Sequence, residues 1–247
     1  MNNAILSRQE LYDASERTFF HQVFLLMGFG MVVTALTSLY ISGSETLMEQ
    51  LFHLESYVDD EGEPASRMSG SIWFWAAAIV QLGMVVLLTM GGMLSNISKS
   101  SGYIFFGIFA ALVGVTLTPI LFSYTSVSIA KVFFMTAAAF GGCALVGYTT
   151  KMNLQPLGTF FLFALIGLII AMVTNMFLQS GPMDYLISVA AILLFAGLTA
   201  YDMQMLKRMY REGHGSGGLV VFGALALYLD FLNMFIHLLR LFGQAKD

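Results

Sequence analysis

The sequence predicts an all-α membrane protein that folds as a bundle of seven transmembrane helices. Hydrophobic residues make up 57% of the 247 residues and charged residues only 11%, and the mean hydropathy is +0.78. A soluble domain contains about 25% charged residues and could not bury this much apolar surface. The apolar residues also form continuous runs of about 20, the length of helix that crosses a bilayer. These observations exclude a soluble enzyme and a disordered chain.

Net charge and cysteine content narrow the class further. The formal net charge is −4 and the sequence pI is about 5.5, so there is no basic surface for nucleic acid. Cys143 is the only cysteine, which excludes a disulfide framework and a cysteine-ligated zinc site. The sequence contains no motif for a nucleophile with its base, for a metal site or for a phosphate loop. We therefore expect neither an enzyme nor a bound cofactor.

Seven apolar segments are predicted to span the membrane, and short polar or glycine-rich breaks separate them. The predicted spans are Phe19–Ile41, Ile72–Leu94, Tyr103–Phe122, Ala130–Tyr148, Leu157–Leu178, Asp184–Leu206 and Leu219–Phe242. They define a membrane domain over residues 19–242, surrounded by the lipid bilayer. A cytoplasmic N-terminal arm is predicted at residues 1–18 and a C-terminal tail at residues 243–247.

The distribution of basic residues predicts that the N-terminus faces the cytoplasm, because cytoplasmic loops are rich in Lys and Arg. With this orientation seven basic residues lie inside and four lie outside. The inner residues are Arg8, Arg17, Lys99, Lys151, Lys207, Arg208 and Arg211, and the outer residues are Arg67, Lys131, Arg240 and Lys246. The first outer loop, residues 42–71, agrees with this orientation because it carries seven acidic residues and one basic residue.

This acidic outer loop has two features of its own. Ser44 is a predicted N-cap for a short helix with Leu47, Leu51 and Leu54 on one face. The helix is expected to lie along the outer face of the membrane, and capping of a pore is the alternative. The acidic run at residues 59–63 lacks the ligand spacing of an EF-hand loop and is expected to be a solvated surface that attracts cations in general.

Two carboxylates inside the predicted spans are the main candidates for function, because an ionisable residue in a span usually has a role. Asp202 lies in the sixth span and Asp230 in the seventh, and Ser216 in the connecting turn is their midpoint. At ~1.5 Å per residue both lie about 15 Å from the turn, on adjacent antiparallel helices. If they face each other, they share a proton or are otherwise compensated, and they titrate as a pair.

Two interpretations of this aspartate pair remain open. The carboxyl groups can form a permanent link between the sixth and seventh helices, or they can sense pH in an ion pathway. The pathway is favoured by a polar stripe on the seventh helix, formed at steps of 3, 4 and 3 by Asp230, Asn233, His237 and Arg240. Thr199 adds a hydroxyl to the sixth helix, on the face of its aspartate. Asn233, His237 and Thr199 are therefore predicted to line or support the pore, and Arg240 to extend to the interface.

Other polar and small residues in the spans are expected to hold the helices together. Gln81 and Asn175 are predicted to form hydrogen bonds between helices. Close packing of helices is expected at five glycines, namely Gly107, Gly114, Gly141, Gly142 and Gly147.

Four segments carry a pattern that is specific when they are taken together. The longest is Ala224–Gly243, which contains a Leu-Tyr-Leu-Asp-x-x-Asn element and a leucine-rich end, and the others are Leu117–Leu121, Gly147–Lys151 and Thr199–Gln204. These segments resemble the Bax-inhibitor family, the transmembrane Bax-inhibitor-motif proteins. The resemblance covers most of the chain from about residue 103 and is closest to the bacterial branch with YccA-like and YetJ-like members.

This resemblance implies seven helices with the last helix at the centre of the bundle, in a bacterial inner (plasma) membrane. It also implies a calcium leak that is tuned by pH. The family's two aspartates fall here on Asp202 and Asp230, and their hydrogen-bonded pair is expected to hold the pore closed until protonation changes. The second span departs from the family pattern, because it carries Gln81 where relatives can have an acidic residue.

Three functions are predicted, in descending order. The first is a pH-sensitive calcium or cation leak channel, gated by Asp202 and Asp230, which also bind calcium transiently during transport. The alternative is a regulatory membrane protein that binds a membrane-anchored AAA protease or another membrane complex through the exposed arm at residues 1–18. An intramembrane hydrolase that uses the aspartate pair ranks last, because no other catalytic motif supports it.

Overall fold

The computed structural model describes residues 2–58, 64–90, 99–214 and 217–246, and almost all of them are helical. The helices are α1 (Asn2–Ser42), α2 (Glu45–Leu51), α3 (Ile72–Met90), α4 (Lys99–Ser123), α5 (Ser126–Thr149), α6 (Leu157–Leu178), α7 (Gly181–Met209) and α8 (Gly217–Phe242). Two antiparallel strands, β1 (Phe52–Val58) and β2 (Pro64–Gly70), lie between α2 and α3. A short turn, Tyr210–His214, follows α7, and its backbone leaves the helical conformation at Gly213.

Within the described residues, six helices are long and apolar enough to cross a membrane, namely α1 and α4 to α8. Five predicted spans, the third to the seventh, are reproduced by α4 to α8 to within four residues at each end. The second predicted span corresponds to α3, whose apolar stretch Ile72–Leu87 is shorter than the ~20 residues of a typical span. Residues 91–94 of that predicted span lie outside the described residues. The chain is therefore a helical protein with several membrane-spanning segments.

The first helix is longer than the predicted span. It begins at Asn2, and its candidate membrane-spanning part is Asp13–Ser42. Residues 2–18, which were predicted as a separate arm, therefore continue into the first span as one helix.

The acidic outer loop folds into a short helix followed by a β-hairpin. Ser44 is the N-cap of α2 and its hydroxyl accepts a hydrogen bond from the Leu47 backbone N–H, as predicted. The prediction that Leu54 shares this helix was wrong, because α2 ends at Leu51 and the backbone is already extended at Phe52. Leu54 pairs with Met68 in the register of β1 and β2. The acidic run at residues 59–63, which connects the two strands, lies outside the described residues.

The described chain divides into two compact units, and Gly28–Ser123 forms one of them. In this unit the Thr116 hydroxyl donates a hydrogen bond of 3.0 Å to the side-chain oxygen of Gln81, which links α4 to α3 and confirms the hydrogen bond predicted for Gln81. Gly114 allows α4 to approach α1, because a Cβ at this position would lie 2.7 Å from the Thr34 carbonyl oxygen. The close packing predicted at Gly114 is therefore confirmed.

The other unit combines Met1–Met27 with Tyr124–Asp247 and contains both predicted aspartates. Here α8 packs against α7 and α5, and 72% of its apolar stretch is buried, compared with 6% for α6. The Asn175 side chain on α6 donates a hydrogen bond of 2.7 Å to Asp184 in the first turn of α7, which confirms the predicted link between helices. Close packing was wrongly predicted at Gly141 and Gly142, where a Cβ would meet only open space. At Gly107, in the unit Gly28–Ser123, a Cβ would make ordinary van der Waals contact with the Phe29 ring at 3.8 Å, so the helix packs there without requiring glycine.

Candidate functional site

The hairpin of α7 and α8 brings the two predicted aspartates together. The turn after α7 contains Gly213 at φ +86°, a backbone conformation that side-chain-bearing residues rarely adopt. The chain then reverses into α8, which packs along α7 more extensively than any other pair of elements in the described residues. As a result Asp230 on α8 lies within electrostatic range of Asp202 on α7.

The two aspartate residues differ in solvent exposure. Asp230 is only 5% exposed, whereas Asp202 is half-buried. Within the described part of the chain, the buried Oδ2 atom of Asp230 has no hydrogen-bond partner. Burial of a polar atom without a partner costs about 1–3 kcal/mol, and most buried polar atoms in native proteins are paired. The carboxyl group of Asp230 is therefore incompletely satisfied in this conformation.

Thr199 connects Asp230 to the backbone of α7. This side chain is fully buried and lies within hydrogen-bonding reach of the Asp230 carboxyl group. Its hydroxyl donates a hydrogen bond of 2.7 Å to the carbonyl oxygen of Phe195, one turn earlier. A hydroxyl has a single proton to donate but can accept as well. While Thr199 donates its proton to Phe195, it can only accept a hydrogen bond from Asp230. The carboxyl group of Asp230 must then carry the proton that it donates.

The remainder of the predicted polar stripe on α8 has separate partners. Asn233 donates a hydrogen bond of 2.8 Å to the Leu229 carbonyl oxygen of its own helix. The Nδ1 atom of His237 lies 3.3 Å from the Ser188 hydroxyl on α7, and both side chains are buried. Arg240 is exposed. The structure therefore joins His237 to α7 and leaves Asn233 bonded within α8.

Ser188 is a member of this polar set that the sequence reasoning missed. It is 1% exposed and its hydroxyl faces His237. Ser188 precedes Asp202 by 14 residues, which is close to four turns of an α-helix, so both lie on the same face of α7. This spacing is the feature of the sequence that could have identified Ser188. Serine is common in membrane spans, so the residue type alone does not indicate a functional site.

A glycine lets α5 approach the same region of α7. A Cβ at Gly147 would lie 2.7 Å from the Cα of Ala200 and would collide with the carbonyl oxygen of that residue. The close packing predicted at Gly147 is confirmed, and it lies beside the segment that carries Thr199 and Asp202. The position of α5 therefore supports the part of α7 that presents both side chains.

A second polar cluster surrounds Glu16 on α1, and sequence reasoning missed it. Glu16 is only 3% exposed, although it was predicted to belong to an exposed arm. Its carboxylate accepts a hydrogen bond of 2.9 Å from Nε of Arg211 and one of 3.0 Å from the Tyr148 hydroxyl. Lys207 lies 3.9 Å from the same carboxylate and 4.0 Å from the centre of the Tyr148 ring. The cluster ties α1 to the ends of α5 and α7.

This Glu16 cluster also bears on the path of the chain. It brings the N-terminal part of α1 to the C-terminal ends of α5 and α7. The predicted topology of seven alternating spans, in which α3 is one span, also puts these three ends on one side of the membrane. In the sequence, only the spacing of Lys207 and Arg211, which lie one turn apart, indicated a cluster. Local helix geometry could not predict that Arg211 binds a residue 195 positions earlier.

The aspartate pair offers few ligands for a tightly bound metal. Within the described residues, no group of three or more His, Cys, Asp or Glu side chains is placed to hold a metal ion. A calcium ion takes about 6–8 oxygen ligands. Asp202 and Asp230 together have four carboxylate oxygens, which is fewer than a calcium ion takes.

The fold and the site define a multi-pass helical membrane protein with a carboxyl pair between two adjacent antiparallel spans. The sequence profile of the family described as "Inhibitor of apoptosis-promoting Bax1" matches residues 16–247. The chain belongs to this Bax inhibitor family, and the family assignment made from the motifs is confirmed.

Bacterial relatives align along nearly the whole chain. The chain is 34% identical over 238 residues to the inner membrane protein YbhL of Escherichia coli K12, and the alignment covers 94% of each protein. It is 39% identical over 229 residues to the uncharacterized protein YrjE of Lactococcus lactis, covering 92% of this chain and 91% of that one. An uncharacterized protein of Borreliella burgdorferi is 34% identical over 233 residues, with 93% of each chain covered.

Proposed function

We propose that this protein is a pH-sensitive cation leak of the bacterial inner membrane, with calcium as the main ion. Protonation of the Asp202–Asp230 pair sets the balance between its closed and open states. The observation that carries the proposal is the buried Oδ2 atom of Asp230, which lacks a hydrogen-bond partner in the described part of the chain. A carboxyl pair that only fastened two helices would be most stable with every buried oxygen satisfied. An unsatisfied oxygen instead suits a site where the bound proton or cation changes.

A pH switch needs a structural element that can adopt two arrangements. The Thr199 hydroxyl is such an element, because it can form two different sets of hydrogen bonds. When Asp230 carries a proton, the carboxyl group donates to the Thr199 hydroxyl, which keeps its bond to the Phe195 carbonyl oxygen. When Asp230 is ionised, the hydroxyl must turn toward the carboxylate and leave Phe195. The protonation state of Asp230 thus changes how α8 is attached to α7, and a change in attachment shifts a population between two states.

The proposed channel has seven spans, with α3 as the seventh and α8 at the centre of the bundle, and its N-terminus faces the cytoplasm. The high burial of α8 supports its central position, since a helix at the periphery of a bundle, such as α6, exposes most of its surface to lipid. The name of the relative YbhL, an inner membrane protein, supports the location. His237 and Asn233 support the pathway along α8.

Calcium flux into liposomes that contain only the purified protein tests the proposal. We expect flux that changes with pH, with a midpoint between about pH 5 and 8 for the coupled pair. Asp230→Asn keeps the size of the side chain and removes titration, so the pH dependence should disappear while the protein still inserts. Asp13→Asn, which alters an exposed carboxylate on α1, is the matched control and should leave the pH profile unchanged.

A double-mutant cycle then distinguishes a sensor from a link between helices. The effects of Asp202→Asn and Asp230→Asn on flux should be non-additive, because each removes the repulsion that its partner experiences. Coupling in thermal stability together with pH-independent flux in the wild-type protein would favour the link. Strictly additive effects on both quantities would mean that the two carboxyl groups do not interact.

One observation favours the regulatory alternative. The N-terminal part of α1 exposes Glu10, Asp13 and Arg17, a charged surface that a membrane-anchored AAA protease or another membrane complex can bind. Absence of flux from purified protein, combined with co-purification of a protease that Glu10→Lys and Asp13→Lys abolish, would support this function in place of the leak.

A further inference from the structure

We propose that a groove between α1 and α5 binds one membrane lipid with an anionic headgroup, and that Arg17 holds the headgroup. The groove is open and has a volume of about 600 Å³. It is lined by Arg17, Phe20, Phe24, Phe140, Gly141, Ala144, Leu145, Tyr148 and Met203. All but Arg17 and Tyr148 are apolar, so the wall offers almost nothing to hydrogen-bond a water-soluble ligand.

The groove runs from a helix end into the apolar part of the spans. Arg17 and Tyr148 lie at one end, close to the start of the candidate span in α1 and to the end of α5. Phe24 and Phe140 lie seven and eight residues further along their helices, about 10–12 Å deeper at ~1.5 Å per residue. The groove is thus polar at one end and apolar further in. A lipid has the same arrangement, with a charged headgroup at the interface and an acyl chain that enters the membrane.

Small side chains open this groove on the α5 side. A Cβ at Gly141 would meet no atom within 4 Å, and Ala144 one turn later is also small. Phe20 on α1 and Phe140 on α5 contribute aromatic walls. Because the groove opens from membrane-spanning helices, an acyl chain is the apolar material available to fill it.

Charge at the mouth selects an anionic headgroup. Arg17 is exposed and forms no salt bridge within the described residues, whereas its neighbour Glu16 is buried and bound to Arg211 and Tyr148. Lys207 adds a further positive charge beside Tyr148. Three basic residues thus surround one acidic residue, and its carboxylate is already paired. Each basic residue near a membrane surface favours an anionic lipid by about fivefold.

A second groove, between α6 and α7, provides the contrast. It has a volume of about 320 Å³ and is lined only by Ala164, Gly167, Leu168, Ala171, Leu186, Ile187, Ala190 and Leu194. None of these residues is charged, so we expect this groove to accept acyl chains without selecting a headgroup. Gly167 matches Gly141, because a Cβ there would also meet no atom within 4 Å.

Native mass spectrometry of the full-length protein in detergent, titrated with phosphatidylglycerol or phosphatidylcholine of identical acyl chains, tests the proposal. Wild-type protein should bind one phosphatidylglycerol in preference to phosphatidylcholine. Arg17→Gln should weaken phosphatidylglycerol binding about fivefold, and Arg17→Lys should retain most of it. Gly141→Leu should fill the groove and weaken binding of this lipid. Lys131→Gln, an exposed cation near the other end of α5, and Gly167→Leu should leave the preference unchanged.

Equal binding of the two lipids to the wild-type protein would overturn the proposal, as would a preference that survives Arg17→Gln. A preference that survives in folded Gly141→Leu would place the lipid elsewhere and would also overturn it. Arg17→Gln alters an exposed side chain, so it keeps the proposal testable if Gly141→Leu does not fold. The titration contains no calcium and measures no flux, so its outcome is independent of the proposed channel activity.

Discussion

At the scale of single residues, the contact between Thr199 and Asp230 is the most informative feature. The hydroxyl of Thr199 bonds to the Phe195 carbonyl oxygen while its side chain lies within reach of the Asp230 carboxyl group. It can satisfy both partners when Asp230 supplies a proton and only one of them when Asp230 is ionised. In the proposed channel, we expect this hydroxyl to set the pH at which the closed and open states are equally populated.

Replacing Thr199 by valine tests this role, because valine keeps the branched shape and removes the hydroxyl. We expect the midpoint of the pH dependence of calcium flux in liposomes to change by about 0.5–1 pH unit, the effect of losing roughly 1 kcal/mol of hydrogen bonding. Thr136→Val is the matched control, since Thr136 is also fully buried and donates a 2.8 Å hydrogen bond to the carbonyl oxygen one turn earlier. Equal midpoints in all three proteins would exclude Thr199 from the switch.

Glu16 is predicted to contribute to stability, because its buried carboxylate accepts hydrogen bonds from Arg211 and Tyr148. Glu16→Gln removes the charge that pairs with Arg211 and leaves the hydrogen bonds of the cluster incomplete. We expect a loss of about 1–3 kcal/mol, limited by the solvent exposure of Arg211. The measurement is thermal unfolding of the purified protein in detergent. Glu10→Gln, at an exposed position on the same helix, should change the stability by less than ~0.5 kcal/mol.

Sequence reasoning found the aspartates and missed Glu16 for a physical reason. Asp202 and Asp230 interrupt apolar runs, and the turn between them fixes their relative depth, so local helix geometry was sufficient. Glu16 lies in a segment rich in charges, where a further carboxylate carries no signal. Its burial depends on Tyr148 and Arg211, which reach it only through the packing of three helices.

At the scale of elements, the approach of α5 to α7 depends on a single glycine. Gly147→Ala would force a Cβ against the backbone of Ala200, and backbone atoms cannot move aside as a flexible side chain can. Overpacking of this kind costs about 1–3 kcal/mol, so we expect a lower unfolding temperature. Gly142→Ala on the same helix adds its Cβ to open space and should be neutral or stabilising by up to ~1 kcal/mol. An equal gain in both variants would show that helix propensity, rather than contact with α7, sets the result.

Apolar length predicted the helices well and predicted the segments between them poorly. The bounds of α6 match the predicted fifth span at both ends, because apolar length and the flanking breaks define a span. The hairpin of β1 and β2 was missed, although Phe52–Val58 is rich in residues that favour strands and an Asp-Glu-Gly sequence precedes the second strand. The leucine spacing of α2 extended by chance to Leu54, so the helical pattern was continued past its end at Leu51.

At the scale of the whole chain, topology is the property on which the other proposals depend. The Glu16 cluster brings the N-terminal part of α1 together with the ends of α5 and α7, so these three ends share one side of the membrane. We predict that this side is the cytoplasm, because in the predicted topology it carries seven basic residues and the other side four. The direction in which a pH difference acts on the aspartate pair follows from this assignment.

Cysteine labelling in a Cys143→Ser background measures the topology directly. We expect a cysteine at position 60, in the acidic outer loop, to react with a membrane-impermeant maleimide added to intact spheroplasts. A cysteine at position 152, where the native Met152 is 72% exposed after the end of α5, should react only after the membrane is opened. Each variant is the control for the other, because the two share the Cys143→Ser background and differ in the predicted side of the introduced cysteine. Reaction of position 152, and not of position 60, in intact spheroplasts would invert the topology. Arg17 and its groove would then face the outer leaflet, and the acidic loop would face the cytoplasm, against the charge distribution that the bilayer favours.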